Sequence, residues 1–525
     1  MNRIATYINR YIDGVAYSSP DILSAHATDR SVLKYHPRIV AFPHNTKDIS
    51  RLLRFSFQLS KKGIELPVTP QGAMRSKTGS SLGSGLVVST QKLDRILELD
   101  TRQRLVRVQP GVTYRTLRNA LLCQGLDLPL VADDSETIGG IIARGARGSI
   151  NSESLDIAEI VQKLEFVMYD GTVVESNEIN LTKLKKQKHL KPSEKKLYEQ
   201  LAKLLRSMPD KADTHDHRGY YGIAGQSLKK FNIAKLLCGS EGTLGVISEV
   251  ILRCEALYED PEYVAILCRN NAKLTQTAEL LKKLKFSDVT CYDAEFFNAK
   301  ASTGKDSAFF RSAPDDAFLL TATVKDDAKR QRRRKLKKLR KQLPKDLKLI
   351  RSTEVGAEEF SVLPAKLSAY FNDDAAVRHL PLADDVYIPP AQQKHFLDGV
   401  NYLSESKHLS LAVLAKLDHN LFTIRPTFNV ASASDRRHMI DFLRNYVELI
   451  DGVGGSPCGN ASEGRFLALF TNSHRNTSRL QFDTEIKQIF DPAGLLNPDL
   501  KQSADAKSTL RHFRTSHDTG LSSID

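Results

Sequence analysis

No stretch of the chain is apolar for the ~20 consecutive residues that a membrane-spanning helix needs. Residues 1–16 lack the apolar core of a secretory signal, so the chain is read as starting in the cytoplasm. Cysteine is sparse and scattered, at positions 123, 238, 254, 268, 291 and 458, with no close pair. That spacing excludes a disulfide framework and a paired-cysteine zinc site, and fits reduced thiols in a cytosolic setting. Acidic and aromatic side chains are both missing from the most basic run, between Lys329 and Lys345. Without rings to stack on bases, no nucleic acid is expected there.

The 525 residues suffice for two or more domains with well-developed cores. The formal net charge of +14 is local in origin: eleven Lys or Arg lie between Lys329 and Lys345, and residues 183–196 hold seven basic residues against Glu194. Leu336, Leu339 and Leu343 recur at spacings of three and four, which predicts an amphipathic helix over 326–342 with a basic outer face. Solvation is the plain role for such a face. Peripheral contact with an anionic membrane, at its inner face, or with an acidic protein is the alternative.

Glycine is concentrated in three places. Residues 70–89 read P-Q-G-A-M-R-S-K-T-G-S-S-L-G-S-G-L-V-V-S, between apolar runs at 64–68 and 86–88. The pattern is strand–loop–strand. Glycines there permit φ values that turn successive N–H groups inward, a nest suited to a pyrophosphate; alone, the stretch reads more readily as a flexible surface loop. Residues 135–148, S-E-T-I-G-G-I-I-A-R-G-A-R-G, form a second glycine-rich turn, opening a helix whose first N–H groups could meet an anion. Residues 239–247, G-S-E-G-T-L-G-V-I, run into a strand at 246–252.

In this order and spacing the three segments resemble the FAD-linked oxidases of the vanillyl-alcohol-oxidase type, close to the D-lactate and glycolate dehydrogenase group. The resemblance covers about residues 20–500. It implies an α+β fold: a two-sheet PCMH-type FAD-binding domain, plus an antiparallel-sheet cap domain with helices on one face. The corresponding division is an N-terminal extension at 1–36 wrapping the outside, an FAD-binding domain at 37–257, a cap or substrate domain at 258–450, a return segment at 451–501 and a disordered tail at 502–525. Local patterns agree: a helix at 45–60 capped by Asn45 or Thr46, another at 114–123, and in the cap helices at 272–284, 294–300, 391–405 and 435–449.

By position, the resemblance assigns Gly72, Ala73, Met74, Arg75, Ser76, Thr78, Gly79 and Ser80 to the FAD pyrophosphate. Thr137, Gly139 and Gly140 would pack beside the flavin. Gly239, Ser240, Glu241, Gly242, Thr243, Gly245, Val246 and Ile247 would support the cofactor from the other side, and Asn497 would lie near it. Ala73, Met74 and Arg75 depart from the family's glycine run, and Arg144 and Arg147 stand where small or polar residues are usual. No histidine occupies a covalent attachment position, which implies noncovalent FAD. No iron–sulfur cysteine run is present, so the electron acceptor (protein, quinone or oxygen) is a separate molecule.

The departures are larger in the catalytic set. Metal-dependent members carry two cap histidines and a later Glu-His pair. Lys416 and Thr423 stand in or next to the histidine positions, and Asn460 and Ala461 replace Glu-His. No metal is therefore expected. Lys416, Tyr387 and His419 with Asp418 are the candidate catalytic residues, and Lys366 or Arg378 the alternatives for receiving a carboxylate. His215 and His217 read as a polar loop. Two functions fit: an FAD-dependent oxidoreductase taking hydride from a small hydroxy acid-like substrate, or one of another substrate class; and a catalytically decayed FAD-binding protein acting as an interaction module.

Overall fold

The computed structural model describes residues 3–130, 132–150, 153–187, 190–207, 218–257, 261–269, 271–293, 318–325, 328–355, 378–460, 462–471, 477–501 and 506–515. They form two units, the first drawn from 1–147, 156–256 and 460–525, the second from 148–155 and 257–459.

The first unit is built on two sheets. In one, Ile39–Phe42, Leu86–Ser89 and Val68–Gln71 run parallel, with Val15–Tyr17 antiparallel at the edge. The other is antiparallel throughout, in the order Val173–Glu175, Val161–Val167, Val246–Arg253, Leu105–Val108, Ile96–Asp100. Parallel strands of one sheet need a crossover, and the helix Thr46–Ser60 supplies one between Ile39–Phe42 and Val68–Gln71, which flank Leu86–Ser89. The Asn45 side chain caps it by accepting from the Asp48 N–H. Its apolar stripe, Ile49, Leu52 and Leu53, buries against Ile39, Val68 and Leu86 from one sheet and Val167 and Val246 from the other.

The N-terminal stretch contributes to the core, while Tyr7, Tyr11 and Tyr17 stay exposed. Ile8 and Ala16 belong to the same core, and the buried Asp48 carboxylate accepts from the Asp13, Gly14 and His44 N–H groups at 2.8, 2.9 and 3.0 Å. The described residues of the tail, expected to be disordered, are not without structure. A helix at Ala506–Arg511 is followed by His512, stacked on Tyr35 at 3.7 Å, and by Phe513, edge-on to Phe466. The strand expected at 64–68 begins only at Val68, where pairing with Leu86 starts.

The second unit is an antiparallel sheet ordered Lys348–Arg351, Glu262–Cys268, Phe318–Val324, Ser287–Tyr292, Leu411–Lys416, Leu421–Phe428, with Arg378–His379 and Ala383–Tyr387 sharing the edge of the last. Two βαββαβ repeats compose it. The first takes helices Asn271–Lys283 and Lys329–Gln342. The second takes Gln393–Lys407 and Ala433–Gly452, its fourth strand shortened to a Tyr387–Ser456 bridge. The repeats meet where Ser287–Tyr292 pairs with Leu411–Lys416. Right-handed crossovers put the helices on one face. Ser456 and Gly459 bond to Tyr387 and Asp385, so this unit runs past the expected limit of 450.

The expected helix at 294–300 lies outside the described residues. Pro192–Arg206, Gly464–Thr471 and Thr477–Phe490 are helices that the sequence reading did not specify. Among the described residues no helix is long and apolar enough to cross a membrane.

Leu53 is fully buried where the crossover helix meets both sheets. Leu53→Ala should cost about 2–5 kcal/mol of stability, read as a lowered denaturation midpoint with little change in slope.

Candidate functional site

The loop after Val68–Gln71 is the most open of the three glycine segments. Gly72, Ala73, Arg75, Ser76, Lys77 and Ser80 are all partly exposed, whereas Met74 is buried at φ 56°. Ser76 Oγ accepts from the Thr78 and Ser80 N–H groups at 3.3 and 3.1 Å, which folds the loop on itself. Gly72 must be glycine because a Cβ there would lie 2.2 Å from Thr137 Oγ1, so the first and second segments touch.

The second segment does not offer the anion site expected of it. The N–H groups of Ile138 and Gly139 donate to Val112 and Pro110 carbonyls at 2.9 and 2.8 Å, and that of Gly140 to Thr137 Oγ1 at 3.3 Å. The helix Ile138–Arg144 begins by docking on the 110–112 turn, which uses up its leading donors. What remains open is space. Gly140 is exposed, and a Cβ there would meet Thr137 Oγ1 at 3.1 Å and no other atom within 4 Å.

The third segment is buried from Gly239 to Ile247. Gly239 and Glu241 donate from their N–H groups to the Ile142 and Ala143 carbonyls at 2.9 Å each, bracing the end of the second segment's helix. The Glu241 side chain faces a buried ionic cluster. Lys501 Nζ lies 2.8 Å from Glu241 Oε1 and 3.5 Å from Glu463 Oε2, and Gly464 N–H donates to Glu241 Oε2 at 3.0 Å. Burial raises the Glu241 carboxyl above its ordinary pKa, and Lys501 opposes that shift.

Asn497 is fully buried in the same cluster. Its amide donates to the Ser80 and Glu241 carbonyls at 2.8 and 2.7 Å, and its oxygen accepts from Arg465 Nη2 at 2.7 Å. Arg465 also donates to the Leu82 carbonyl at 2.9 Å, and its backbone N–H to that of Thr78 at 2.9 Å. Nearby, Lys487 Nζ donates to the Thr243 and Leu496 carbonyls at 2.7 Å each and to Asp491 at 2.6 Å. Glu241, Thr243 and Asn497 thus tie loops together from behind. Arg465, Glu463, Lys487 and Lys501 were not singled out from sequence; the Lys487–Asp491 spacing on one helix was the available signal.

Arg144 pairs with Glu136 at 3.0 Å and donates to the Asn460 carbonyl at 3.0 Å, and the Arg147 N–H donates to Asn460 Oδ1. Asn460 therefore anchors these two arginines. Ala461 lies outside the described residues, as do His215, His217 and Lys366, and the Arg378 side chain is likewise undescribed.

The candidate substrate residues lie in the second unit. Lys416, at the end of its strand, and Thr423, on the next, converge on Asp385: Lys416 Nζ and Thr423 Oγ1 are each 3.2 Å from Asp385 Oδ1. Asp385 itself sits at φ 56°. The partnership of Asp385 with Lys416 is not legible in the sequence, where 31 positions separate the two. His419 and Asp418 occupy the turn between the strands, 3.7 Å apart with side chains only 10% and 6% exposed. Burial raises the Asp418 carboxyl above its ordinary value, and His419 counters it. Tyr387 is nearly buried and pairs with Ser456 through its backbone. Among the described residues no three His, Cys, Asp or Glu side chains gather as a metal site would require.

Residues 37–177 match the model of an FAD binding domain, and residues 293–500 that of the C-terminal domain of FAD linked oxidases. The D-2-hydroxyglutarate dehydrogenase of Haemophilus influenzae is 22% identical over 94% of this chain but only 52% of its own length, so the chain spans about half of such relatives. The glycolate oxidase subunit GlcD of Bacillus subtilis is 21% identical over 90% of both chains. In fold, the 4-ethylphenol oxidase of Gulosibacter chungangensis superposes with a TM-score of 0.71 at 14% identity, covering 96% of this chain and 97% of that one. The matched domains define a two-domain flavoprotein. The chain belongs to the FAD-linked oxidase superfamily, whose cofactor is FAD.

Lys501→Met would leave two buried carboxylates without their cation. It should cost about 3–5 kcal/mol, and adding Glu241→Gln and Glu463→Gln should restore part of the lost denaturation midpoint. Asp133, beside the second segment, is held at about 2: burial works against its ionisation, but Arg30 at 3.0 Å and bonds from Ser135 outweigh that. A folded-state value below the ordinary one stabilises above that ordinary value and is lost as pH falls through about 2. The stability gap between the wild type and Asp133→Asn should thus be widest above pH ~5 and narrow from pH ~4 downward.

Proposed function

We propose that the chain is an FAD-dependent oxidoreductase that oxidises a small hydroxy acid-like substrate, with Lys416 doing electrostatic work that histidine-held metal does in its relatives. The observation that carries this reading is the convergence of Lys416 and Thr423 on Asp385. Both residues stand in or next to the positions where the resemblance puts metal-binding histidines, and Asp385 holds the Lys416 side chain there.

Noncovalent FAD would be held by the partly exposed loop at Gly72, Ala73, Arg75, Ser76 and Ser80, and by the side-chain-free surface at Gly140. The open space over Gly140 fits a flat ring, and the loop's cations, Arg75 and Lys77, fit phosphates. Glu241, Thr243 and Asn497 would keep those loops in place without touching the cofactor. When bound, FAD supplies a two-electron acceptor.

The protein's share of the chemistry is charge and proton placement. Asp385 orients the Lys416 ammonium, which would bind the substrate carboxylate or the oxygen that gains charge as its proton leaves. His419, backed by Asp418, would take that proton. Tyr387 would contribute a wall. The curated relatives named as D-2-hydroxyglutarate and glycolate enzymes make D-2-hydroxyglutarate, glycolate and D-lactate the first substrates to try. A separate protein, quinone or oxygen would accept the electrons.

Anaerobic titration of the FAD-loaded chain with these acids should bleach the visible flavin band. Lys416→Met should lower kcat/KM for the productive acid by roughly 10²–10³-fold while leaving the bound-flavin spectrum in place. No flavin band after reconstitution would overturn the reading; a band that no hydroxy acid bleaches would favour a decayed, cofactor-binding protein.

A further inference from the structure

The basic run forms the helix Lys329–Gln342, with ten Lys or Arg and no acid. Leu336 and Leu339 are buried, and so is Arg332, so one side of the helix is committed to the unit's own core. Every other cation on it is exposed except Lys335, which donates to the Lys285 carbonyl at 3.0 Å. That bond fixes the end of the neighbouring helix, and with it exposed Lys282, Lys283 and Lys285, alongside. None of the exposed cations of Lys329–Gln342 is ion-paired with a described residue.

The fold contains its own control. In the second repeat, Ala433–Gly452 holds the same topological place, between the third strand and the closing pairing. It packs through Met439, Phe442, Leu443 and Tyr446 and carries three arginines against four acids. The architecture therefore asks only for an apolar stripe at this position. Like charges three and four residues apart weaken a helix, so the cations of the first repeat oppose the fold that carries them.

We propose that this helix face docks the protein on an anionic phospholipid surface. The helix is about 21 Å long and presents cations across its whole outer side, which matches a two-dimensional array of headgroups. It exposes no apolar side chain, so the docking is electrostatic adsorption without insertion. Duplex or single-stranded nucleic acid is the weaker match, since the face carries no aromatic ring and two glutamines as its only amides.

The test is co-sedimentation of the full chain with phosphatidylcholine vesicles with and without phosphatidylglycerol. Binding should require phosphatidylglycerol and vanish between ~0.02 and ~0.5 M salt. The variant R333Q/R334Q/K337Q/K338Q should weaken it roughly a hundredfold or more. The control R437Q/R444Q, on the equivalent helix, should leave it unchanged. Equal binding to neutral vesicles, an unaffected quadruple variant with unchanged melting temperature, or tighter binding to DNA or RNA at matched salt would each overturn the proposal. The readout needs no flavin, so it stands or falls apart from the catalytic reading.

Discussion

One buried ammonium, that of Lys501, lies within reach of two buried carboxylates, Glu241 and Glu463, and the first unit is assembled around that contact. Each charge alone in the interior would cost several kcal/mol, so the three are stable only together. Because they come from the third glycine segment, from the start of the helix Gly464–Thr471 and from the C-terminal return, satisfying them fixes three distant segments at once. Asn497 and Arg465 extend the same constraint to the first loop through the carbonyls of Ser80, Leu82 and Thr78. Loop geometry in this unit is thus set from the buried side, which leaves the outward side of the first loop free to carry chemistry.

The second unit solves a different problem. A hairpin and its neighbouring strand bring Lys416, Thr423 and Asp385 to one point, so the lysine side chain is held by a carboxylate. An ammonium carries one positive charge where a divalent metal carries two, and it acts through N–H donors instead of as a Lewis acid. It also cannot gather several oxygens around itself by coordination. On the function proposed above, such a site would favour one carboxylate or one developing negative oxygen, and would place more weight on how the rest of the substrate is held.

Elements whose signals were local were legible in the sequence. The crossover helix carried both its cap, Asn45, and its 3.6-residue stripe; the strand Leu86–Ser89 was announced by Gly83 and Gly85 just before it. The cofactor loops were legible as segments but not as contacts. T-I-G-G reads as a helix start with open donors, and only the packing of that start on Val112 and Pro110 closes them. The least legible part was the charged interior: for Lys501, Glu463 and Arg465 nothing within several positions predicts burial. Val15–Tyr17 was missed for a related reason, since a three-residue edge strand has no period to detect, only a partner.

The first unit is discontinuous along the chain: its second stretch ends at 256 and its third begins at 460. Thr69 and Asn497, which share a hydrogen bond, are separated by 428 positions. On the ribosome, Glu241 therefore emerges long before Lys501. At roughly 5–20 residues per second, the 245 positions between 256 and 501 take on the order of 10–50 s to make. For that interval the two sheets, with Val68, Leu86 and Val246 at their centre, lack Leu496 and the cation that completes them. The third glycine segment therefore gains its buried cation only after the whole of the second unit has been made.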